Sequence, residues 1–531
     1  MLSVPLLPLA RARAHPKRHH HATKHHKKRH HKKRHHKKRH VATLRPANPG
    51  IVHLADRFTG GYTDAQGSAM TRAGGALAWF DQQLTPDSVP ESSRATTLWS
   101  WFPLLANTPQ QRWDSQRAMT GGSWEHGIDL AAWTILRRVH SERGVLESMV
   151  EFWSDHLHVP TSSDGWYWRQ QYDTLIRSRA LGKFSTLLVE ASLHPAMLVY
   201  LNNAQSTAAH PDENQARELL ELHTVGRGHY GEDEVKASAR ILSGWTVKWP
   251  WDTSHPDIAT WAGWYDPRRH ATAPAKVLGF SSNGDGRGGQ TAKDYLTYLA
   301  HQPATGQRIA TKLAVRFVSD TPSPALISAL VKVYLANDTD IRPVLRALVR
   351  HPEFAAAAKR KVRPPVADLI ATMRVLGVDV QPPVDRQSAA HTIVYTHGGV
   401  QPYSWPRPDG PPDAATAYAS AGRMLQSFTM HWDLAGGYWP TREVAYRSPG
   451  AFVPTGRFTI AQYADHLCRL VHHTGADATT TRAVAQALGY PASRIVDPDT
   501  AEGRDLHRAL SGWLGVRAIG AVLDHPRHLT H

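Results

Sequence analysis

Between Asp212 and Gly228 the apolar and polar residues separate as they do on a helix. At about 100° per residue, Asn214, Arg217, Glu218, Glu221 and Val225 fall on one side, with Ala216, Leu219, Leu220 and Leu222 on the other. Ala, Leu, Glu, Gln and Arg favour helix; Pro211 can open one and Gly226 can close it. The polar side is either a solvated surface stripe or the lining of a polar cleft. Similar helical patterns, rich in Ala, Leu and Arg, run over 68–84, 128–157, 167–190, 234–244, 291–302, 306–319 and 324–336. Others cover 340–350, 364–377, 413–429, 459–473, 480–488 and 503–524. Alternating runs of Val, Ile and Thr are scarce, so the pattern predicts a mainly α protein, one large multi-helix domain over 46–531.

Two long irregular loops interrupt the helical rhythm. Residues 246–290 crowd Trp249, Trp251, Trp261 and Trp264 together, and residues 378–412 contain Gln401-Pro402-Tyr403-Ser404-Trp405-Pro406. Loops of that length inside a compact domain serve a purpose or move. The tryptophans are read as packed or lid-forming side chains, with a stacking platform for sugars as the alternative. His194-Pro195, His351-Pro352 and His525-Pro526 read as helix punctuation, because proline biases the residue before it out of the helix.

Charge changes the picture at one end only. The chain has 531 residues and a formal net charge of +17. Residues 11–40 hold 14 Lys and Arg and no acid, which leaves 48 basic against 45 acidic residues elsewhere. The body is nearly neutral, so a nucleic-acid-binding surface spread over the whole protein is unsupported. Residues 15–45 contain three His-His-Lys-Lys-Arg units, from His25 to Arg39, and read as a disordered basic tail. Such a polycation would bind polyanions (teichoic acid, anionic lipid or nucleic acid), and its paired histidines could take up Zn, Ni or Cu loosely; a solvated tail without a ligand is the alternative. Residues 1–14 are too short and Pro-rich for a membrane span, and no transmembrane segment is expected. They look like the end of a signal peptide, with Ala12-Arg13-Ala14 as the cleavage site and a true start further upstream. Export to the envelope or exterior is therefore expected, a cytoplasmic protein being the alternative. Cys468 is the only cysteine, which rules out an internal disulfide and leaves the compartment open.

The Asn214-Gln215-Ala216-Arg217-Glu218-Leu219-Leu220-Glu221-Leu222 run is followed by Gly226-Arg227-Gly228-His229-Tyr230. Ala239-Arg240-Ile241-Leu242-Ser243-Gly244-Trp245 comes next. This order resembles the bacterial domain-of-unknown-function family numbered 1800. Phe152-Trp153-Ser154-Asp155-His156-Leu157 resembles a second motif of that family. His270 through Gly279 resembles a third, although Ala271 stands where the family has Asp. The opening His53-Leu54-Ala55-Asp56-Arg57 is a looser match, and the likeness extends over roughly 48–528. It implies export, and a partner resembling the sulfatase-like unknown-function family numbered 1501. It names no reaction.

Glu218 and Glu221, three residues apart, would place their Cβ atoms about 5–6 Å from each other. A desolvated pair that close shares a proton or holds a metal. Glu218, Glu221 and His156 are accordingly the catalytic candidates. Asp155, Glu213, Asn214, Arg217, Arg240 and Trp245 are read as substrate-binding or structural, with Arg217 neutralising Glu213 or Glu221. Two imidazoles and two carboxylates, from His156, His270, Glu218 and Glu221, would suit Zn, Mn or Fe. His223 faces the apolar side and reads as a packed histidine. Gly284, Gly286 and Gly289 fit a G-x-G-x-x-G pattern, but with no strand expected before them they read as a loop. No Walker A sequence and no G-x-S-x-G elbow occurs. The expected function is an exported helical protein with a polar His/Glu cleft, a metal-assisted hydrolase or oxidoreductase on envelope or extracellular polymer. The alternative is a non-catalytic glycan- or protein-binding assembly protein whose His/Glu/Arg cluster is a structural network.

Overall fold

Helices dominate because the 3.6-residue periodicity of the sequence does. In the computed structural model, which describes residues 47–283 and 287–531, the chain is 60% helix and 5% strand. The expected leader remnant (1–14), the basic tail (15–45), and Gly284 and Gly286 lie outside the described residues. The described residues belong to one compact unit. No helix among the described residues is long and apolar enough to cross a membrane.

Several expected helices are pairs. The stretch 68–84 divides into Asp64–Arg72 and Ala76–Gln83, since Gly74 and Gly75 both have positive φ, a backbone region open to glycine. The stretch 128–157 becomes Ser123–His140 and Gly144–His156. Between them the Ser141 hydroxyl accepts from the Arg143 amide at 3.0 Å and donates to Glu91 at 2.8 Å, holding the chain in a turn. Gly182 and Gly512 sit in the corresponding breaks of 167–190 and 503–524. The three His-Pro steps share one geometry. Proline takes the first helical position, and the histidine Nδ1 accepts from the backbone N–H two residues on, at 3.1–3.3 Å. Histidine here does the work of a Ser or Asp cap.

The irregular stretch 246–290 contains two antiparallel hairpins, Trp245–Val247 with Gly263–Tyr265 and Ala275–Val277 with Phe280–Ser282. A short strand thus precedes the glycine-rich segment, contrary to expectation. Its antiparallel pairing still leaves no parallel βαβ unit, so the dinucleotide reading stays set aside.

Two apolar cores build the unit. One gathers residues 52–84 and 145–357, where Phe58 stacks on Phe317 at 4.3 Å and Trp153 is wholly buried with its indole N–H on the Ala180 carbonyl. The other gathers 98–139 and 369–523. The chain passes from the second core to the first at the Ser141 turn, and the two helices flanking that turn form the seam between them.

Candidate functional site

The helix Pro303–Phe317 packs Ile309, Ala310, Leu313, Ala314 and Phe317 into the core. Arg308, Lys312 and Arg316, four residues apart, form a cationic ridge along it. Each cation meets a different part of the motifs singled out in the sequence.

Arg308 donates to the Leu222 carbonyl at 2.7 Å. That carbonyl is free because the expected helix runs as α only over Asn214–Glu218 and then widens to a π turn over Leu219–His223. The terminal carbonyls of a helix need partners from elsewhere, and here other helices supply them. His156 Nε2 takes the next one, the His223 carbonyl, at 3.0 Å. Donation from Nε2 leaves Nδ1 as an acceptor, and Lys312 Nζ lies 3.2 Å from it. Burial, Lys312 and His223 hold the His156 imidazole well below its ordinary pKa. Burial and Arg308 lower the Lys312 ammonium to about 8. His223 is packed as expected, its pKa lowered to about 3 mainly by burial.

Arg316 ends the ridge among carboxylates. Its guanidinium pairs with Glu151, with Asp413 at 2.6 Å and with Asp155 at 3.6 Å. Glu151 and Asp155 are four apart on Gly144–His156 and so share one face; Arg138 also grips Glu151. Burial pushes the Asp155 carboxyl well above the carboxylate range; Arg316 opposes the shift, and Glu151 and Asp413 reinforce it. The Asp155 side chain keeps 21% of its surface, and that surface faces a cavity of about 540 Å³ at the seam of the two cores. Thr134 and Arg138 line the cavity from one side of the Ser141 turn, Ser148 and Glu151 from the other. Asp56, Lys361, Pro364 and Arg423 also line the cavity, and the irregular stretch 398–413 with Tyr418 forms another wall.

That wall is pinned down. Thr161 N–H donates to the Tyr403 carbonyl at 2.8 Å, His158 Nε2 to the Trp405 carbonyl at 2.8 Å, and the Arg169 guanidinium lies over the Tyr403 ring at 4.1 Å. Gly410 has φ of +71°, and a Cβ there would overlap the Asp155 carbonyl. The long loop flagged in the sequence therefore closes on the Asp155 segment.

The expected four-residue metal set does not come together. His156 has one nitrogen on a carbonyl and the other facing an ammonium, which repels a cation. Glu221 pairs with Arg227 and accepts from the Tyr230 hydroxyl at 3.1 Å. Glu218 is half-buried, its carboxyl raised by burial and by neighbouring Glu221. His270 spends Nδ1 on the Ser243 carbonyl at 2.8 Å and packs on Tyr265. Among the described residues the sole His/Cys/Asp/Glu group close enough for a metal is Asp368, His431 and His528. Glu213 and Arg217 form a surface chain with Glu232, and Asn214 is exposed. Arg240 lies near the end of the helix Glu232–Leu242, and Trp245 opens the first hairpin strand, paired to Tyr265 and lying under Lys293. Only Asp155 and His156 of the expected set reach the ridge. Sequence reading missed Glu151, Lys312, Arg316 and Asp413, although the four-residue spacings of 151/155 and 308/312/316 were present as signals.

An all-helical unit with two cores and a charged cavity between them is the class that fold and site define. The chain belongs to the family described as a protein of unknown function, DUF1800, whose model matches residues 53–529. Searches among curated proteins and among solved structures find no match.

Proposed function

We propose that the cavity is the substrate site of an exported hydrolase acting on a polyhydroxylated polymer of the envelope or exterior. One observation carries the reading: Asp155, a carboxyl whose pKa burial raises, faces a cavity of about 540 Å³ beside two carboxylates salt-bridged to Arg316. Acid catalysis at neutral pH needs a carboxyl whose pKa is raised next to others that are not, and a buried site supplies that separation. Asp155 is then the proton donor to the leaving oxygen. Arg316 holds Glu151 and Asp413 in place beside it. Trp405 and Tyr418 give the wall aromatic faces suited to a sugar ring, and the volume fits a few residues of a polymer end. The signal-like start and polycationic tail of the sequence support a location among anionic envelope polymers. The test is reducing-end release from purified peptidoglycan, teichoic acid and extracellular polysaccharide. Wild type should release reducing ends from one of them and Asp155→Asn at least ~100-fold fewer; equal rates, or none with wild type, overturn the reading.

A second reading, a non-catalytic glycan-binding protein, is favoured by a separate patch. Trp251 is 61% exposed and stacks on Trp249 at 4.9 Å, while Trp261 beneath is buried. Under it, Trp251→Ala reduces retention on insoluble polysaccharide and Asp155→Asn changes nothing; retention unchanged in Trp251→Ala removes it.

A further inference from the structure

The helix Pro365–Leu376 carries Asp368 and Thr372 one turn apart. The helix Ala421–Gly436 carries Arg423, Ser427 and His431 at four-residue intervals on one face. The C-terminal segment brings Asp524 and His528 against both. Asp368 and His431 are wholly buried and His528 nearly so.

The arrangement is asymmetric about the Asp368 carboxylate. Its Oδ2 accepts from Ser427 at 2.7 Å and from Arg423 at 3.1 Å. Its Oδ1 faces two imidazole nitrogens, Nε2 of His431 at 3.2 Å and Nε2 of His528 at 3.6 Å. All three ligand atoms lie within 4.8 Å of one another. Four-coordinate zinc with bonds of about 2.0–2.1 Å sets its ligand atoms ~3.3–3.4 Å apart, so both measured edges suit a tetrahedron. The second shell matches as well. His431 Nδ1 lies 2.7 Å from Asp524, and donation there would orient the ring and leave Nε2 to ligate a cation in place of the proton it now shares with Asp368. The Thr372 hydroxyl lies 2.9 Å from His528 Nε2 and would turn its proton away from that nitrogen when a cation binds.

We infer that Asp368, His431 and His528 bind a divalent first-row cation, Zn²⁺ by geometry, as a structural site clamping the C-terminal segment to two helices. Nitrogen and oxygen donors without sulfur suit Zn, Mn or Fe over Cu(I), and the edge lengths favour tetrahedral zinc over the octahedral preference of Mn. The site is separate from the Asp155 carboxyl. It touches the cavity through Arg423, which lines the cavity wall and holds Asp368 from behind. Its loss would therefore loosen that wall without removing the proton donor.

The histidine-rich tail could also take up metal, so the test uses the full chain and reads differences between variants. Wild type, Asp368→Asn and His528→Gln are washed with free histidine and their zinc measured. Wild type should retain one more tightly held equivalent than either variant. Cobalt loading should give wild type the intense visible bands of four-coordinate Co²⁺, absent from both variants, whereas a loose tail site gives only weak ones. Should a variant not fold, wild type alone decides: stripping with dipicolinate should lower its melting temperature by several degrees and added Zn²⁺ restore it. Asp524→Asn should weaken zinc affinity about 10–100-fold without abolishing it. Equal zinc in all three proteins, or a melting temperature indifferent to stripping and reloading, overturns the inference and leaves a proton-held His–Asp network.

Discussion

Two rows of charged side chains at helical spacing face opposite fates. The row from Glu213 to Glu221 looked like the site in sequence, yet Glu213, Arg217 and Glu232 pair with one another at the surface. The row of Arg308, Lys312 and Arg316 was not singled out in the sequence. It instead reaches a helix carbonyl, an imidazole and three carboxylates between two cores. Residue type does not separate the rows; what lies opposite does. Charges facing water are screened by it, whereas charges facing low-dielectric protein act on one another with little screening. Asp155 and Lys312 shift for that reason.

The largest break in the comparison is Arg316→Met. It would leave Glu151, Asp155 and Asp413 without their shared cation, and removing one partner of a buried pair costs roughly 3–5 kcal/mol. The urea midpoint should fall accordingly, and a small loss would mean that water already screens these carboxylates. Next comes Asp56 on the cavity wall. Burial alone would raise its pKa, but Lys359 and Arg363 outweigh burial and hold it at about 2, below its ordinary 3.8. A depressed carboxylate adds stability that is complete above the unfolded value and lost as pH falls through the folded one. Acid unfolding should therefore show about 2 kcal/mol lost between pH 4 and pH 2, absent in Asp56→Asn.

Asp155 has the opposite sign. Its folded carboxyl keeps a proton that the unfolded chain releases above the ordinary value, so it lowers stability as pH rises from there through the folded value. Asp155→Asn should flatten that slope and leave melting at pH 7 unchanged or higher while activity is lost. A lower melting temperature at pH 7 would mean that Asp155 is charged.

Much of the fold was legible. The helix at 324–336 matches its expected ends, because Ser323 caps it, Pro324 opens it and apolar residues fill most of it. The split helices were not legible, since apolar periodicity runs straight through Gly74-Gly75, Ser141 and Gly182. Residues 413–420 carry a helical composition but only a short turn. Asp413 and the Ala415 amide are tied to Arg316 and Asp320, so the helix starts at Ala421. The site was half legible. The spacing of Glu151 and Asp155 puts like charges together, a sign that some cation must lie between them. Which helix supplies it depends on packing across 160 residues of sequence. The π turn at Leu219–His223 had no local signal, and it decides which backbone carbonyls His156 and Arg308 find.

The smallest expected effect lies on the surface row. Arg217 bonds Glu232 at 2.7 Å and Glu213 at 3.2 Å, geometry as good on paper as that of Arg316. All three side chains are at least one-third exposed, however, so water competes for every contact and salt screens what remains. Arg217→Ala should shift the urea midpoint too little to resolve, and added salt should not change that. Arg316→Met should remain costly in the same salt, because mostly buried pairs are screened far less than exposed ones. If instead the two variants lost stability equally, the surface row would be the buried one in solution, covered by something such as a second copy of the chain. A sedimentation measurement on wild type would then show it.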